Sequence, residues 1–595
     1  MLNAVPRGFA QAGKAELVGE VRDATGAVIP HARVTLTETG TLLLYPGTSG
    51  PAGFYAFSLL KPGIYSVRVE APRFKTFVQE GVRVATGERI RLDVELAVGD
   101  LSESITIRAD APPLRTESAS LGQVVDQQAV RTLPLKGRDF IALISLSSGV
   151  ALPPGSSFPR INGGRPRVNE YLYDGITALQ PEPGQVAFLP IPDAIQEFKV
   201  ETNSPSAEFG RFSGGVINLT TKTGTNDFHG SVFEYFRNEV LNARNLFAPA
   251  TPASPNKPVF RRNQYGFTLG GPVVRNQTFF FSDYQGTRQR IGRVQVSTVP
   301  TLLQRQGVFT EPVAGGVPRI YDPATTIALP GGGVSRTPFQ DNTIPAGRMD
   351  PVAVNLLQRY PLPTSSGTAN NFRRVTNERQ NQEQFDVRLD HRLSESDQVF
   401  ARYSYSGDRS TPVTPLPDGS GNITSGALAE TRTLGQSLAT AYWHILNPQL
   451  ANEIRFGYTR RSIDRRALLL DAPPSRALNL PGIPSNAAFE RELPTFMISG
   501  FQQLGPPANT DSIFRTDVTQ FVEPLSYQKG RHSLKAGADL RFSRLDVLQP
   551  SSPTGVFRFS SLFTDLPGAS GTGFPLASFL LGQVQDFSID LQSRT

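Results

Sequence analysis

The chain has 595 residues, which is too many for one ordinary soluble core, so several domains or one very large β-architecture are expected. Its 54 glycines, 49 prolines and 19% charged residues indicate a turn-rich chain that favours strands. No apolar stretch approaches the about 20 residues that a spanning helix requires. This excludes a helical membrane protein but leaves a β-barrel open, because barrel strands show apolar side chains only at every second position.

The charged and metal-binding residue types exclude several other functions. The net charge of +7 arises from 59 Lys and Arg interleaved with 52 Asp and Glu, so nucleic-acid binding is not expected. The absence of cysteine excludes disulfides, thiolate metal sites and cysteine nucleophiles. The five histidines lie far apart without ligand spacing. We therefore predict no catalytic residue, no metal site, no cofactor and no enzymatic activity.

The first 98 residues divide into a leader and a small β-domain. Residues 1–14 lack the apolar core of a secretory signal yet contain Ala10-Gln11-Ala12, so a polar leader and a start further upstream both remain open. Between residues 15 and 98, alternating runs and turn residues predict a β-sandwich. The clearest runs are GIYSVRVEAP and GERIRLDVELAVG.

The pattern VGEVRDATGAVIPHARVTL followed by GFYAFSLLKPGIYSVRVEAPRF resembles the carboxypeptidase regulatory-like domain. This resemblance implies a transthyretin-like or Ig-like sandwich of the carbohydrate-binding-like class. No aromatic platform is visible, so we do not expect a sugar site in it. Residues 99–113 form a polar connector with one β-prone island. Extended backbone of this kind suits the addition of a strand to a partner's sheet.

Residues 114–225 carry the most specific motifs. The blocks LPLKGRDFIALISLSSGV, INGGRPRVNEYLYDGI and IPDAIQEFKVETNSPSAEFGRFSGGVINLTTKTG resemble, in this order, the plug of TonB-dependent outer-membrane receptors of the Oar-like subgroup. The resemblance implies a small α+β plug in which glycine lets backbone segments approach closely. It singles out Asn162, Gly163, Gly164, Arg165, Asp174, Gly175, Phe209, Gly210, Gly214 and Gly215.

Two further assignments follow from the family resemblance. In receptors with an extra N-terminal domain, the TonB box lies between that domain and the plug. This implies a partner-binding segment formed by Ser104, Ile105, Thr106, Ile107, Arg108 and Ala109. For Arg165 and Asp174 we favour packing between plug and barrel over direct ligand contact.

Residues 226–595 are predicted to form amphipathic barrel strands. In EQFDVRLDHRLSESDQVFARYSYSG, apolar side chains alternate with charged ones, so one face suits lipid and the other a wet lumen. Aromatic residues, among them Phe279, Phe280, Phe281 and Trp443, suit interfacial girdles. We count about ten strand candidates against the roughly 22 strands of plugged transporters, so the barrel is expected to be partial.

The expected fold is dominated by β-structure: an N-terminal sandwich, a small α+β plug and a partial transmembrane antiparallel β-barrel. The resemblance implies TonB-dependent transport by a fragment in the outer membrane, with the N-terminal domain in the periplasm. It also implies three partners: the TonB complex of the inner membrane, outer-membrane lipid, and an unknown ligand such as a siderophore, oligosaccharide or peptide. Import and export both remain open. The alternative is a surface or secreted carbohydrate-binding protein of the adhesin type.

Overall fold

The structure is a computed structural model of the chain. It describes residues 15–108, 118–135, 137–181, 184–244, 257–313, 315–422, 429–447, 449–469, 478, 480, 492–530 and 532–590. The expected leader, Ala109 and the end of the expected connector lie outside these residues. None of the described helices is long and apolar enough to cross a membrane.

The N-terminal part is a sandwich of two sheets. Its strands are β1 (Ala15–Asp23), β2 (Arg33–Glu38), β3 (Leu44–Thr48), β4 (Phe54–Leu60), β5 (Gly63–Glu70), β6 (Thr76–Val84), β7 (Arg89–Arg91), β8 (Val94–Leu96) and β9 (Ser104–Arg108). One sheet has the order β4-β1-β7, with β8 also paired to β1, and the other has the order β3-β2-β5-β6-β9. Tyr65, Val67 and Val69 are buried between them, as the alternation of β5 predicted.

The described part of the connector, residues 99–108, contains a strand that pairs with the sandwich. Residues Ser104–Arg108 form β9, which pairs in parallel with β6 and becomes the last strand of the larger sheet. The sandwich therefore extends to Arg108, ten residues beyond the expected boundary at Val98. The alternation of β-branched residues in this island explains why it can join a sheet.

The plug is a compact α+β unit. Its elements are β10 (Leu121–Asp126), α1 (Gln127–Thr132), α2 (Ile141–Ile144), β11 (Val150–Ala151), β12 (Arg160–Ile161), β13 (Glu170–Tyr173), β14 (Ile176–Thr177), β15 (Leu179–Gln180), β16 (Gln185–Val186), β17 (Ile195–Asn203) and β18 (Val216–Thr221). The main sheet has the order β10-β17-β18-β13-β14. Phe140, Phe198 and Ile217 lie in its core.

The remainder of the chain is built mainly from long strands. Its elements are β19 (His229–Asn238), β20 (Phe260–Val274), β21 (Thr278–Ser297), α3 (Leu302–Arg305), β22 (Ile327–Ala328), β23 (Val334–Ser335), α4 (Pro351–Leu357), β24 (Phe372–Arg392), β25 (Asp397–Thr411), β26 (Ala429–Asn447), β27 (Leu450–Ala467), β28 (Thr495–Ile498), β29 (Ser512–Lys529), β30 (His532–Leu548), β31 (Val556–Phe559), α5 (Pro575–Leu580) and β32 (Asp586–Ser588). Nine of these strands form one antiparallel sheet with the order β19-β20-β21-β24-β25-β26-β27-β29-β30.

The large sheet is polar on its inner face and apolar on its outer face. On β24, Arg388 is 3% exposed, whereas its neighbours Val387 and Leu389 are 48% and 45% exposed. A soluble sheet would show the opposite arrangement, because apolar side chains gain free energy by leaving water. Strands that face lipid outside and a wet lumen inside require this inversion. The predicted partial barrel is thus confirmed in its alternation and its antiparallel order.

Three aromatic residues that we predicted in interfacial girdles face inward instead. Phe279 packs against the sandwich core, and Phe281 packs with Ile191 of the plug. Trp443 is buried and stacks on Phe400. The girdle prediction is wrong at these positions because they lie on inward-facing strand positions, where plug and sandwich cover them.

The two ends of the large sheet differ. At one end, successive strands are separated by only two to four residues, at 275–277, 393–396, 448–449 and 530–531; we call this the short-turn end. At the other end, long connections run through residues 239–259, 298–371, 412–428 and 468–511. Segments of the last three connections and of residues after β30 share a hydrophobic core that includes Phe309, Leu416, Phe496 and Leu576. We call this unit the loop core.

Candidate functional site

A tight hairpin of the plug ends close to the barrel wall. Tyr173 of β13 pairs with Ile176 of β14, so that only Asp174 and Gly175 form the turn. Both have positive φ, 49° and 80°, which is the geometry of a type I′ turn and suits an Asp-Gly pair. On the barrel side, Gly457 leaves room for Ile176, because a Cβ at that position would overlap its side chain. The sequence therefore builds a narrow hairpin whose tip carries a carboxylate.

The Asp174 carboxylate is bound by two arginines of the barrel. Arg388 Nη1 lies 2.9 Å from its Oδ1, and Arg402 Nη1 lies 3.0 Å from its Oδ2. Thr221 of the plug donates to it from both its backbone N–H and its hydroxyl. Burial raises the pKa of Asp174, but Arg388, Arg402 and Thr221 outweigh this effect and hold it below its ordinary value. The ionised carboxylate therefore joins plug and barrel, as we favoured for this residue.

The same network continues into the sandwich. Arg388 Nε also lies 2.9 Å from Oδ2 of Asp390. Lys61 Nζ of the sandwich lies 2.8 Å from Oδ1 of the same Asp390 carboxylate. The order Lys61, Asp390, Arg388, Asp174, Arg402 alternates in charge, and each of the five side chains is at most 10% exposed. We call these five residues the ion network. It connects all three parts of the molecule.

A second contact between plug and barrel lies on the neighbouring strands. Arg541 of β30 lies 2.9 Å from the carboxylate of Glu170 on β13. Gln520 of β29 accepts a hydrogen bond from the backbone N–H of Thr177, and Thr459 of β27 donates to the carbonyl oxygen of Thr177. The plug sheet is therefore fixed to several barrel strands by polar contacts.

The predicted residues of a second plug turn lie near the start of β18, whereas Asp174 lies beside the end of β18 at Thr221. Asn162, Gly163, Gly164 and Arg165 form an exposed or half-exposed turn after β12, in which Asn162 donates to the carbonyl oxygen of Thr202. Arg165 is exposed, so the packing role that we favoured for it is wrong. The structure does not bring this turn together with the Asp174 hairpin.

Two of the predicted glycines are needed for close packing. A Cβ at Gly215 would lie 2.6 Å from the carbonyl oxygen of Glu201 and would overlap the Ile161 side chain. A Cβ at Gly214 would overlap Asn169, a buried residue whose side chain accepts a hydrogen bond from the Gly215 N–H. The expectation that glycine allows close approach in the plug therefore holds here.

Phe209 and Gly210 lie in the connection between β17 and β18. Phe209 packs against Leu172 and Val216. A Cβ added at Gly210 would have no neighbouring atom within 4 Å, and the φ of this glycine lies outside the positive range. Space therefore does not require glycine at position 210.

A cavity of 530 Å³ lies where sandwich, plug and barrel meet, on the short-turn side of Asp174. Its wall includes hydroxyl and charged side chains of all three parts, among them Glu38, Lys61, Arg131, Asp174, Thr221, Lys222, His229, Ser231 and Arg388. Burial, reinforced by repulsion from Arg131, lowers the pKa of Lys222 to about 8. The cavity can hold water or a polar group.

Lys222→Met should stabilise the protein at neutral pH and lose this advantage at alkaline pH. The folded chain holds the Lys222 proton less tightly than the unfolded chain, whose pKa is 10.5, so wild-type stability should rise between about pH 8 and 10.5. Thermal unfolding of both proteins at pH 7 and pH 10 measures the difference. Lys529→Met, at an exposed position, is the control and should show no such change. An equal effect of pH on both variants would contradict the burial of Lys222.

The predicted partner-binding residues Ser104, Ile105, Thr106, Ile107 and Arg108 form β9, far along the chain from the plug hairpin.

The barrel partners of Asp174 were not predicted. The alternation of β24 had assigned Arg388 and Asp390 to the wet face, but it carries no information on which plug residue meets them. An arginine and an aspartate two positions apart on a lumen face are a signal for such a contact.

Family models match most of the chain. The outer membrane beta barrel domain matches residues 220–595, and the carboxypeptidase regulatory-like domain matches residues 16–97. The TonB-dependent transporter Oar of Myxococcus xanthus is 28% identical over 342 residues, which cover 54% of this chain and 32% of that protein. The ferrienterobactin receptor of Escherichia coli (strain K12) is 25% identical over 155 residues, which cover 25% of this chain and 19% of that protein. The chain thus spans a third or less of the length of these curated relatives.

Solved structures of outer-membrane transporters are also similar. The transporter YddB of Escherichia coli has a TM-score of 0.45 at 13% identity, covering 74% of this chain and 50% of that one. The siderophore receptor PirA of Acinetobacter baumannii has a TM-score of 0.40 at 14% identity, covering 72% and 48%. From the match over residues 220–595, the chain belongs to the outer membrane beta barrel domain family and is a homologue of TonB-dependent transporters.

Proposed function

We propose that the chain is part of a TonB-dependent transporter that moves an unidentified ligand across the outer membrane. The observation that carries this proposal is the ion network, in which the plug hairpin is bound inside a sheet whose outer face is apolar. A plug of this kind closes a barrel at rest and must move for a ligand to pass. The names of the two curated relatives, a TonB-dependent transporter and a ferrienterobactin receptor, support the same function.

The difference between the two ends of the large sheet suggests how the chain is oriented in the outer membrane. The sandwich contacts the short-turn end, where Arg392 donates to the carbonyl oxygen of Leu44 and Asn226 donates to that of Thr41. Barrels of the outer membrane have short periplasmic turns and longer outer loops. The sandwich then lies in the periplasm, and the loop core faces the outside, where a siderophore, oligosaccharide or peptide would first bind.

The segment Ser104–Ala109 is the proposed contact for the TonB complex. Its described residues are already extended in β9, and the side chains of Ile105 and Ile107 are substantially exposed. A partner that presents the edge of a sheet can add such a segment through its backbone N–H and C=O groups. Movement of the inner-membrane complex would then act on the chain directly before the plug.

Thr106→Pro should weaken capture by the periplasmic domain of TonB by about tenfold or more, because proline removes a backbone N–H from the middle of the segment. The measurement is binding of the full chain, in detergent, to immobilised TonB domain from the same cell. Leu101→Pro is the matched control. Leu101 is the second residue of a turn in which the Glu103 N–H donates to the carbonyl oxygen of Asp100, and the second position of such a turn accepts proline.

Two outcomes would contradict these assignments. Equal capture of Thr106→Pro and the unchanged chain would remove this segment from the partner contact. Failure of the unchanged chain to bind, together with its recovery from culture medium rather than from outer membranes, would contradict the transport function and favour a secreted binding protein.

A further inference from the structure

Strand β9 is held by the sandwich in the way that a partner would hold it. Its pairing with β6 is parallel and runs from Thr76 opposite Ser104 to Glu80 opposite Arg108. The other edge of β6 is occupied by β5, so β9 covers the edge that remains. In the described sheet, β9 itself is the terminal strand. The segment is therefore already used for strand addition within its own chain.

The residues before β9 are also anchored to the start of β6. The backbone N–H of Thr76 donates to the carbonyl oxygen of Glu103, and its hydroxyl donates to that of Leu101. Lys75 Nζ lies 2.6 Å from the carboxylate of Glu103. These contacts fix the chain at the start of the strand and leave its later residues dependent on the pairing with β6.

Side-chain packing contributes little to the hold on β9. Ile105 is 39% exposed and Ile107 is 45% exposed, and Thr106 between them is also exposed. Both faces of the strand are thus open to solvent, and backbone pairing with β6 supplies most of its attachment. The edge of a partner's sheet offers the same backbone N–H and C=O groups as β6. Replacement of β6 by that edge therefore exchanges one set of backbone hydrogen bonds for an equivalent set.

We propose that the sandwich stores the partner-binding segment on β6, and that the TonB domain captures it by taking the place of β6 rather than by adding to the open outer edge of β9. This inference rests on the proposed function of the segment. Once β9 is released and captured, a pulling force on it acts on the chain that leads to the plug. The apparent affinity for the partner would then equal the affinity of the free segment multiplied by the fraction of chains in which β9 is undocked.

The absence of cysteine in the chain allows a clean test by an engineered disulfide. Val78 and Thr106 are register partners, and neighbouring strands lie at a Cα separation that a disulfide can bridge. The Val78→Cys/Thr106→Cys protein is oxidised, and its capture by immobilised TonB domain is compared with that of the same protein after reduction. We expect capture to fall by at least about tenfold on oxidation and to recover on reduction.

The control is a Thr35→Cys/Arg68→Cys protein, which links β2 to β5 in the same sheet without touching β9. Its capture should be the same in both redox states. Two results would overturn the inference: equal capture of the oxidised and reduced Val78→Cys/Thr106→Cys protein, or failure of that disulfide to form while the control disulfide forms. Failure of the reduced proteins and the unchanged chain to bind would instead contradict the proposed partner contact itself.

Discussion

Asp174→Asn should weaken the attachment of the plug to the barrel by roughly 3 to 5 kcal/mol, as expected when one member of a buried ion network is neutralised. Arg388 would retain Asp390, but Arg402 would lose its ion pair with Asp174 while remaining 1% exposed. Loss of this ion pair by a buried guanidinium, which keeps its hydrogen bond to Ser437 and its electrostatic interaction with Asp386, accounts for most of the expected loss. Replacement of both arginines and the aspartate by apolar residues of similar size would not carry the same penalty.

The measurement is thermal unfolding of the full chain in detergent, together with the rate of proteolysis in the plug. Asp227→Asn is the control, because Asp227 is an exposed aspartate close to the plug boundary and should change neither quantity. The ion network lowers the pKa of Asp174 from its ordinary 3.8, so its contribution is complete above that pH and is lost as the pH falls through the lower folded value. The difference between the two proteins should therefore vanish in acid. A constant difference from pH 7 down to a pH below the folded value would show that the network is not its source.

Gly215→Val should destabilise the plug by about 1 to 3 kcal/mol, because the added side chain overpacks a closed contact. Its Cβ would meet Ile161 and the backbone of β17 at Glu201, and backbone in a sheet can move little. Gly210→Val is the matched control in the same connection, where space is open, and it should be close to neutral. Loss of plug protection in hydrogen exchange measures the effect. Similar losses in both variants would point to backbone flexibility rather than packing.

The sequence predicted the parts of this molecule that follow from local pattern. Alternation along β24 was enough to place Arg388 on the inner face, and the glycines before β18 were enough to predict close approach. The contacts of those residues could not be predicted, because Asp174 and Arg388 are separated by 214 positions and alternation specifies a face rather than a partner. The inward direction of Trp443 was missed for the same reason, since a girdle and a covered lumen position look alike in one strand.

The position of β9 in the sandwich could not be predicted from the sequence either. Its composition indicated an extended segment, but a connector and a fifth sheet strand have the same local pattern. Only the parallel register with β6, which lies 28 residues earlier, separates the two. Pairing of this kind depends on the folded shape of the sandwich and not on the residues of the segment alone.

The loop core limits how the lengths of the long connections can vary among relatives of this chain. Independent loops tolerate insertions one at a time, because each has its own ends and few contacts with the others. Here Phe309, Leu416 and Phe496 come from separate connections and Leu576 comes from the residues after β30, yet all four share one interior. A change of length in one connection therefore disturbs the packing of the rest. We therefore expect relatives with this interior to differ in the exposed side chains of their outer face, while the lengths of these connections change together or not at all.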